Sequence, residues 1–249
     1  MHIISFVSGK GGSGKTTLTA NVAVALARRG HSVVAIDLDP QNALGLHLGL
    51  EATEEGGLAR EGIRRSAMFE SPFGVHFIPF GRLTTEELPE FHAFLRDHPD
   101  WLAQSLAALP RSEFRFVLLD TPPGPTPYLR QALHAAHRVL VCGLADAASY
   151  ATLPQMMALV EEYTHDRPQF LGAHPIINQM PVNGRLGHQV RSAVATEYGA
   201  TLAPVSVHRD PRVAHALASE QPVVEYDPAA MASLDIEYLA DWLIDLADL

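Results

Sequence analysis

The chain of 249 residues contains two lysines, Lys10 and Lys15, and both fall in one run, Gly9-Lys10-Gly11-Gly12-Ser13-Gly14-Lys15-Thr16. Every other basic residue is Arg. A chain that uses Arg elsewhere keeps Lys where a compact ammonium is needed and a broad guanidinium fork would not fit. The run satisfies the pattern G-x-x-x-x-G-K-[ST]. Its glycines let the main chain curl until successive N–H groups point at phosphate oxygens. A helix opening at Thr17 adds the positive end of its dipole. Lys15 is suited to bridge the β- and γ-phosphates of a nucleoside triphosphate, and Thr16 to offer its hydroxyl to Mg²⁺. The expected nucleotide contacts therefore run from Gly9 through Lys10, Gly11, Gly12, Ser13, Gly14, Lys15 and Thr16 to Thr17.

Two acidic motifs follow in the order such chemistry requires. Asp37-Leu38-Asp39-Pro40-Gln41 closes a short apolar run. A carboxylate there can orient an attacking water or hold Mg²⁺ through water. The spacing from the loop lysine points to Asp39, with Asp37 as helper or turn-former. Asp120 ends the run Phe116-Val117-Leu118-Leu119 and precedes Thr121-Pro122-Pro123-Gly124. Four hydrophobic residues and then Asp describe a buried strand with a metal-associated carboxylate at its tip. Thr16, Asp39 and Asp120 are the expected metal residues.

The elements that must position these groups alternate. Candidate strands are Ile3–Ser8, Ser32–Asp37, Val75–Pro79, Phe114–Asp120, Arg138–Gly143, Phe170–Asn178 and Leu202–Val207. They are short and apolar on both faces, the mark of a parallel sheet covered on both sides. Helical patterns lie between them, at Thr17–Arg29, Trp101–Leu109, Pro127–Ala136, Thr152–Tyr163, Gly187–Tyr198, Pro211–Ser219 and Ala229–Ala247. Thr84 to Glu87 reads as a capping box. The expected fold is a single α/β domain over 1–249, with a doubly wound, mostly parallel sheet and helices on both faces. The stretch Glu51–Gly74 is irregular and reads as a surface excursion.

Composition narrows the function. A formal net charge of -10 argues against a general DNA binder, because that binding is driven by Lys and Arg neutralising phosphates. The densest basic group, Arg60, Arg64 and Arg65, is flanked by Glu54, Glu55 and Glu61 and reads as a solvated helix face. No apolar run is long enough to cross a bilayer, and the start of the chain does not read as a signal peptide. A cytoplasmic setting is expected. The one cysteine, Cys142, sits in an apolar run and reads as a core residue. The thirteen histidines form no metal-ligand pattern. His134 and His137, three apart, read as one half-exposed helix face.

The run Lys-Gly-Gly-x-Gly-Lys-Thr-Thr resembles the variant (deviant Walker A) loop of the MinD/ParA family of P-loop ATPases, and the resemblance extends over nearly the whole chain. It implies ATP and Mg²⁺ as ligands and an ATP-dependent homodimer in which Lys10 reaches the partner's nucleotide. It implies that Asp39 is the acid needed for hydrolysis, so that Lys10, Lys15 and Asp39 form the catalytic set. The Pro-Pro-Gly after Asp120 matches the segment that responds to the γ-phosphate. Asn178 corresponds to the residue reading the adenine edge, and Arg209 and Asp210 to the loop beside the base.

A closer resemblance is to the cellulose-biosynthesis branch, the BcsQ (YhjQ) type. It rests on Ile78-Pro79-Phe80-Gly81-Arg82-Leu83 with Glu86-Glu87, on His208-Arg209-Asp210 with Ala216, and on Gln221-Pro222-Val223 with Glu225-Tyr226. This branch implies an ATPase that assists assembly or localisation of cellulose synthase, a small BcsR-type partner, and recruitment to the inner membrane through partners. The alternatives are a ParA-like partitioning ATPase and a nucleotide-locked scaffold without turnover. Direct membrane anchoring is not expected, because Leu234–Leu249 carries Asp235, Glu237, Asp241, Asp245 and Asp248 and no Lys or Arg.

Overall fold

The computed structural model describes residues 1–50, 56–110 and 112–249. Its strands are β1 (His2–Val7), β2 (Val33–Asp37), β3 (Phe69–Glu70), β4 (His76–Ile78), β5 (Phe116–Asp120), β6 (Arg138–Leu144) and β7 (Gly172–Asn178). Its helices are α1 (Lys15–Arg28), α2 (Leu44–His47), α3 (Leu58–Glu61), α4 (Glu87–Asp97), α5 (Trp101–Ala107), α6 (Pro127–Ala135), α7 (Ala147–Thr164), α8 (Arg185–Tyr198), α9 (Pro211–Ala218), α10 (Val223–Tyr226) and α11 (Met231–Asp248).

The strands form one sheet in the order β3-β4-β2-β5-β1-β6-β7, parallel except for the short β3 edge. Side chains alternate across it, and both faces are apolar. Phe6, Ala35, Leu118 and Leu140 pack beneath α1 and α11, against Leu18, Val22, Ile236 and Leu239. On the opposite face, Ile36, Val117 and Leu119 meet Leu95, Leu102 and Ala132 from α4, α5 and α6. Val7, Val139 and Val141 meet Leu153 and Val160 of α7 and Val190 of α8 on that same side. The central strands are covered on both faces, so the near-continuous apolar runs of the sequence are what this doubly wound sheet requires.

Register aligns the functional rim. Asp37 of β2 lies opposite Asp120 of β5, and Phe6 of β1 lies opposite Asp120 from the other side. Leu144 of β6 pairs with Asn178 at the tip of β7. The carboxyl ends of five strands thus finish at one edge, where ligands of open α/β sheets bind.

Several expectations need correction. Leu202–Val207 is not a strand: Ala203 and Val207 donate to Pro175 and Ile177 of β7, four residues set against two. A parallel ladder would next need the Val205 N–H, but the next bond comes only at Val207, and an isolated bridge, Met180 with His208, follows. Helix α7 begins at Ala147 rather than Thr152. Asp146 caps it by accepting from the Ser149 N–H at 2.6 Å, and the helix carries Pro154 within it. Of the stretch Glu51–Gly74, residues 51–55 lie outside the described residues, and 56–74 is more than an excursion, since Leu58 and Ala67 are buried in the core and β3 extends the sheet. His134 and His137 do not share a helix face. His134 pairs with Asp100, whereas His137 lies beyond the end of α6 and accepts from the Ile3 N–H. The capping box is present, with Thr84 and Glu87 exchanging bonds of 2.7 and 3.2 Å. Arg60, Arg64 and Arg65 form no single helix face, because α3 ends at Glu61; Arg60 pairs with Glu87 and Arg65 with Glu113, and Glu54 and Glu55 lie outside the described residues.

Candidate phosphate and nucleotide site

Strand β1 ends at Val7, and the chain then turns through Gly9–Gly14 into α1. Gly12 and Gly14 take positive φ, 73° and 84°, where a side chain is strained. Ser8, which the sequence did not single out, organises the loop floor. Its hydroxyl donates to the Lys10 carbonyl at 2.8 Å and accepts from Lys15 Nζ at 2.9 Å. Its position directly before Gly9, at a buried strand end, was the available signal. Lys15 is only 6% exposed, so its ammonium sits beneath the loop rather than in solvent.

Asp120 is fully buried, and neither of its carboxylate oxygens has a hydrogen-bond partner of ordinary length. Burial drives its carboxyl up to about 7, against the pull of the Thr16 hydroxyl and the Lys15 ammonium. Asp37 is raised well above the ordinary carboxylate range, by burial first and by the neighbouring Asp120 charge second. The Ser13 hydroxyl is likewise buried without a partner. Orphaned buried oxygens beside a buried ammonium fit a site built for a magnesium phosphate, because such groups are costly until they are satisfied.

The loop after β2 separates the two acids that the sequence left side by side. Asp37 is structural: its oxygens accept from the N–H groups of Asp39, at 2.9 Å, and Leu44, at 3.0 Å. Asp39 is half-buried, and one oxygen accepts from the Gln41 N–H at 2.9 Å. Asn42, at φ 54°, reaches across to accept from the Phe80 N–H. The segment after β5 is tied back to β1, with the Thr121 hydroxyl donating to the Phe6 carbonyl and the Gly124 N–H to the Ser8 carbonyl.

Lys10 is half-buried. Its Nζ pairs with both oxygens of Asp146 at 3.3 Å, within the same chain. Asp146 was also missed, because 136 residues separate it from Lys10 and only the fold joins them.

Asn178, Arg209 and Asp210 come together around a cavity of about 540 Å³ beside Gly14 and Thr17. Their commitments differ. One Asn178 amide N–H donates to the Ser13 carbonyl at 2.8 Å, and its oxygen accepts from the Gln179 N–H. Asp210 caps α9, accepting from the Arg212 N–H and guanidinium and from the Met231 N–H. Arg209 is exposed at the cavity rim. Two histidines line the same space, His208 from the quoted His208-Arg209-Asp210 run and His47, which the sequence did not single out. His47 is held near 4 by burial, and His208 is fixed by Asp235 at 2.8 Å. A second hollow of about 580 Å³ opens at the amino ends of the strands and holds none of these residues.

Cys142 is buried in the core, and burial pushes its thiol up to about 12. Among the described residues no cluster of His, Cys, Asp and Glu could hold a metal by itself. No helix there is long and apolar enough to cross a membrane.

Comparison with known proteins places this geometry. The chain is 28% identical over 249 residues to a cellulose biosynthesis protein BcsQ of Salmonella typhi, covering 98% of this chain and 94% of that one. It is 27% identical to the chromosome-partitioning ATPase Soj of Thermus thermophilus, covering 96% and 93%. The septum site-determining protein MinD of Pyrococcus horikoshii, solved with Mg-ADP, superposes with a TM-score of 0.80 at 24% identity, over 99% of this chain and 97% of that one. That likeness establishes the MinD-type P-loop fold. The family model described as "Cellulose biosynthesis protein BcsQ" matches residues 1–244, and the chain belongs to that family.

Proposed function

We propose that the protein is a Mg-ATP-dependent, dimerising switch ATPase that assists assembly, localisation or activity of the bacterial cellulose synthase complex. One observation carries the ATPase reading: a buried Lys15 ammonium and an orphaned, buried Asp120 carboxylate, near enough to influence each other electrostatically, lie at a glycine loop that opens a helix. Loop amides and Lys15 bind the phosphates. Thr16 and Asp120, with Asp39, would hold Mg²⁺, which supplies charge neutralisation on the phosphate oxygens. Asp39 orients the attacking water, while Asp37 keeps the β2 loop in shape. The cavity beside Asn178 accepts the nucleoside.

Lys10 leaves Asp146 as two subunits close face to face, and it then acts in the partner's site. The loops after Asp39 and Asp120 read the γ-phosphate and present a partner surface. The family description supports the link to cellulose synthesis. The acidic α11 favours recruitment from the cytoplasm to the inner membrane through protein partners, a small BcsR-type protein among them, over contact with anionic lipid. The partitioning alternative is disfavoured because Arg28, Arg29, Arg60 and Arg65 pair with acidic side chains of this same chain.

Phosphate release by wild type and Asp39→Ala tests turnover. A rate lost in the variant, with ATP-dependent dimers retained, supports the mechanism. Equal near-zero rates with ATP-dependent dimers would favour a scaffold. Lys10→Ala should keep nucleotide but lose ATP-induced dimers in light scattering, and persistent dimers would refute the role given to Lys10. Retention of the synthase complex on immobilised protein, with and without ATP, tests the biological assignment.

A further inference from the structure

A loop that offers N–H groups to an anion must turn its carbonyls away from it, and each outward carbonyl needs a partner. Here two successive carbonyls find theirs on two successive residues. The Asn178 amide donates to Ser13 at 2.8 Å, and the Gln179 amide donates to Gly12 at 3.3 Å. In an extended strand, neighbouring side chains point to opposite faces and could not reach one loop. Gln179 breaks the alternation by taking φ 54°, a left-handed conformation that costs energy for any residue but glycine.

That conformation is held from both sides. The Gln179 N–H donates to Asn178 Oδ1 at 2.9 Å, and Met180 exchanges backbone bonds with Val207 and Arg209. The loop accommodates the approach, since a Cβ on Gly14 would lie 2.2 Å from Asn178 Nδ2. We infer that Gln179 is a positioning residue for the phosphate loop, acting with Asn178 as a two-point brace that keeps the Gly12 and Ser13 carbonyls turned away from the anion. The inference rests on the phosphate-loop reading above. It gives Asn178 a duty to the loop that does not depend on a base being bound.

The test uses full-length wild type, Gln179→Met and Gln179→Gly. Magnesium tripolyphosphate, which has neither base nor ribose, competes with a fluorescent ATP analogue. Removing one neutral hydrogen bond should weaken tripolyphosphate and ATP alike by about fivefold. In the ligand-free protein, amide hydrogen exchange at Gly12–Lys15 should quicken by about the same factor. Gln179→Gly should show the same losses with an unchanged or raised Tm, which separates positioning from general destabilisation. Wild-type affinity and exchange in Gln179→Met would overturn the brace. So would a loss confined to ATP, which would make Gln179 a nucleoside contact. Wild type that binds neither ligand would overturn the phosphate-loop reading instead, while unchanged exchange in the variants would still refute the brace on its own.

Discussion

Asp120→Asn should make the ligand-free protein more stable while removing function. The side chain is fully buried beside Asp37, and burial raises its carboxyl from 3.8 to about 7. The folded chain therefore favours the protonated form. The stability this group contributes is complete below 3.8 and is lost as pH rises through about 7. A rise of that size corresponds to about 4 kcal/mol at most, a ceiling because Asp37 shares the same buried charge. Asparagine keeps the shape and removes the titration. The variant's advantage should widen between pH 5 and pH 8, reaching about 4 kcal/mol at most. For a chain of this size, the gap at pH 8 corresponds to a rise in Tm on the order of 10 °C. Thermal melts of both proteins without nucleotide, at pH 5 and pH 8, read this directly. Nucleotide binding with magnesium should weaken in the same variant. A variant less stable than wild type at pH 8, or a gap that does not change with pH, would show that the buried charge is compensated and refute the reasoning.

Three further outcomes follow from local geometry. Gly14→Ala places a Cβ at φ 84° and 2.2 Å from Asn178 Nδ2, and should lose about 2–3 kcal/mol in urea denaturation; a loss under about 0.5 kcal/mol would mean the loop relaxes freely. Asp146→Asn retains a capping oxygen and releases Lys10, so stability should change by less than about 1 kcal/mol, because the pair is partly exposed; a larger loss in the same denaturation series would make the pair structural. Cys142, pushed up to about 12, should resist aromatic disulfide reagents at pH 8 until the chain unfolds, and prompt stoichiometric labelling would contradict its burial.

The phosphate loop and the sheet were legible because their signals are local. A glycine run between an apolar strand and a helix declares itself, and double-sided burial leaves unbroken Val, Ile and Leu runs such as Phe116–Leu119. Less legible were features decided by distant partners. Asp37 and Asp39 look alike in sequence, and only the N–H groups of Asp39 and Leu44 converging on Asp37 make it the structural one. Ser8, Asp146 and Gln179 act through bonds to residues that the fold supplies. The apolar run Leu202–Val207 misleads because its bonds to β7 fall at Ala203 and Val207, four residues apart where a ladder needs two, which composition does not reveal. The start of α7 was less legible because Pro154 reads as a first-turn residue, whereas the Asp146 cap sets the start at Ala147 and leaves Pro154 inside the helix.

The central claim is that backbone amides and the Lys15 ammonium form a cradle for a triphosphate. Titration calorimetry of the folded full-length protein with ATP and magnesium tests it most directly, with Lys15→Ala as control. Saturable uptake of one nucleotide per chain, abolished in the variant at unchanged fold, is the expected result. No heat of binding from well-folded wild type, or equal affinity in Lys15→Ala, would contradict it.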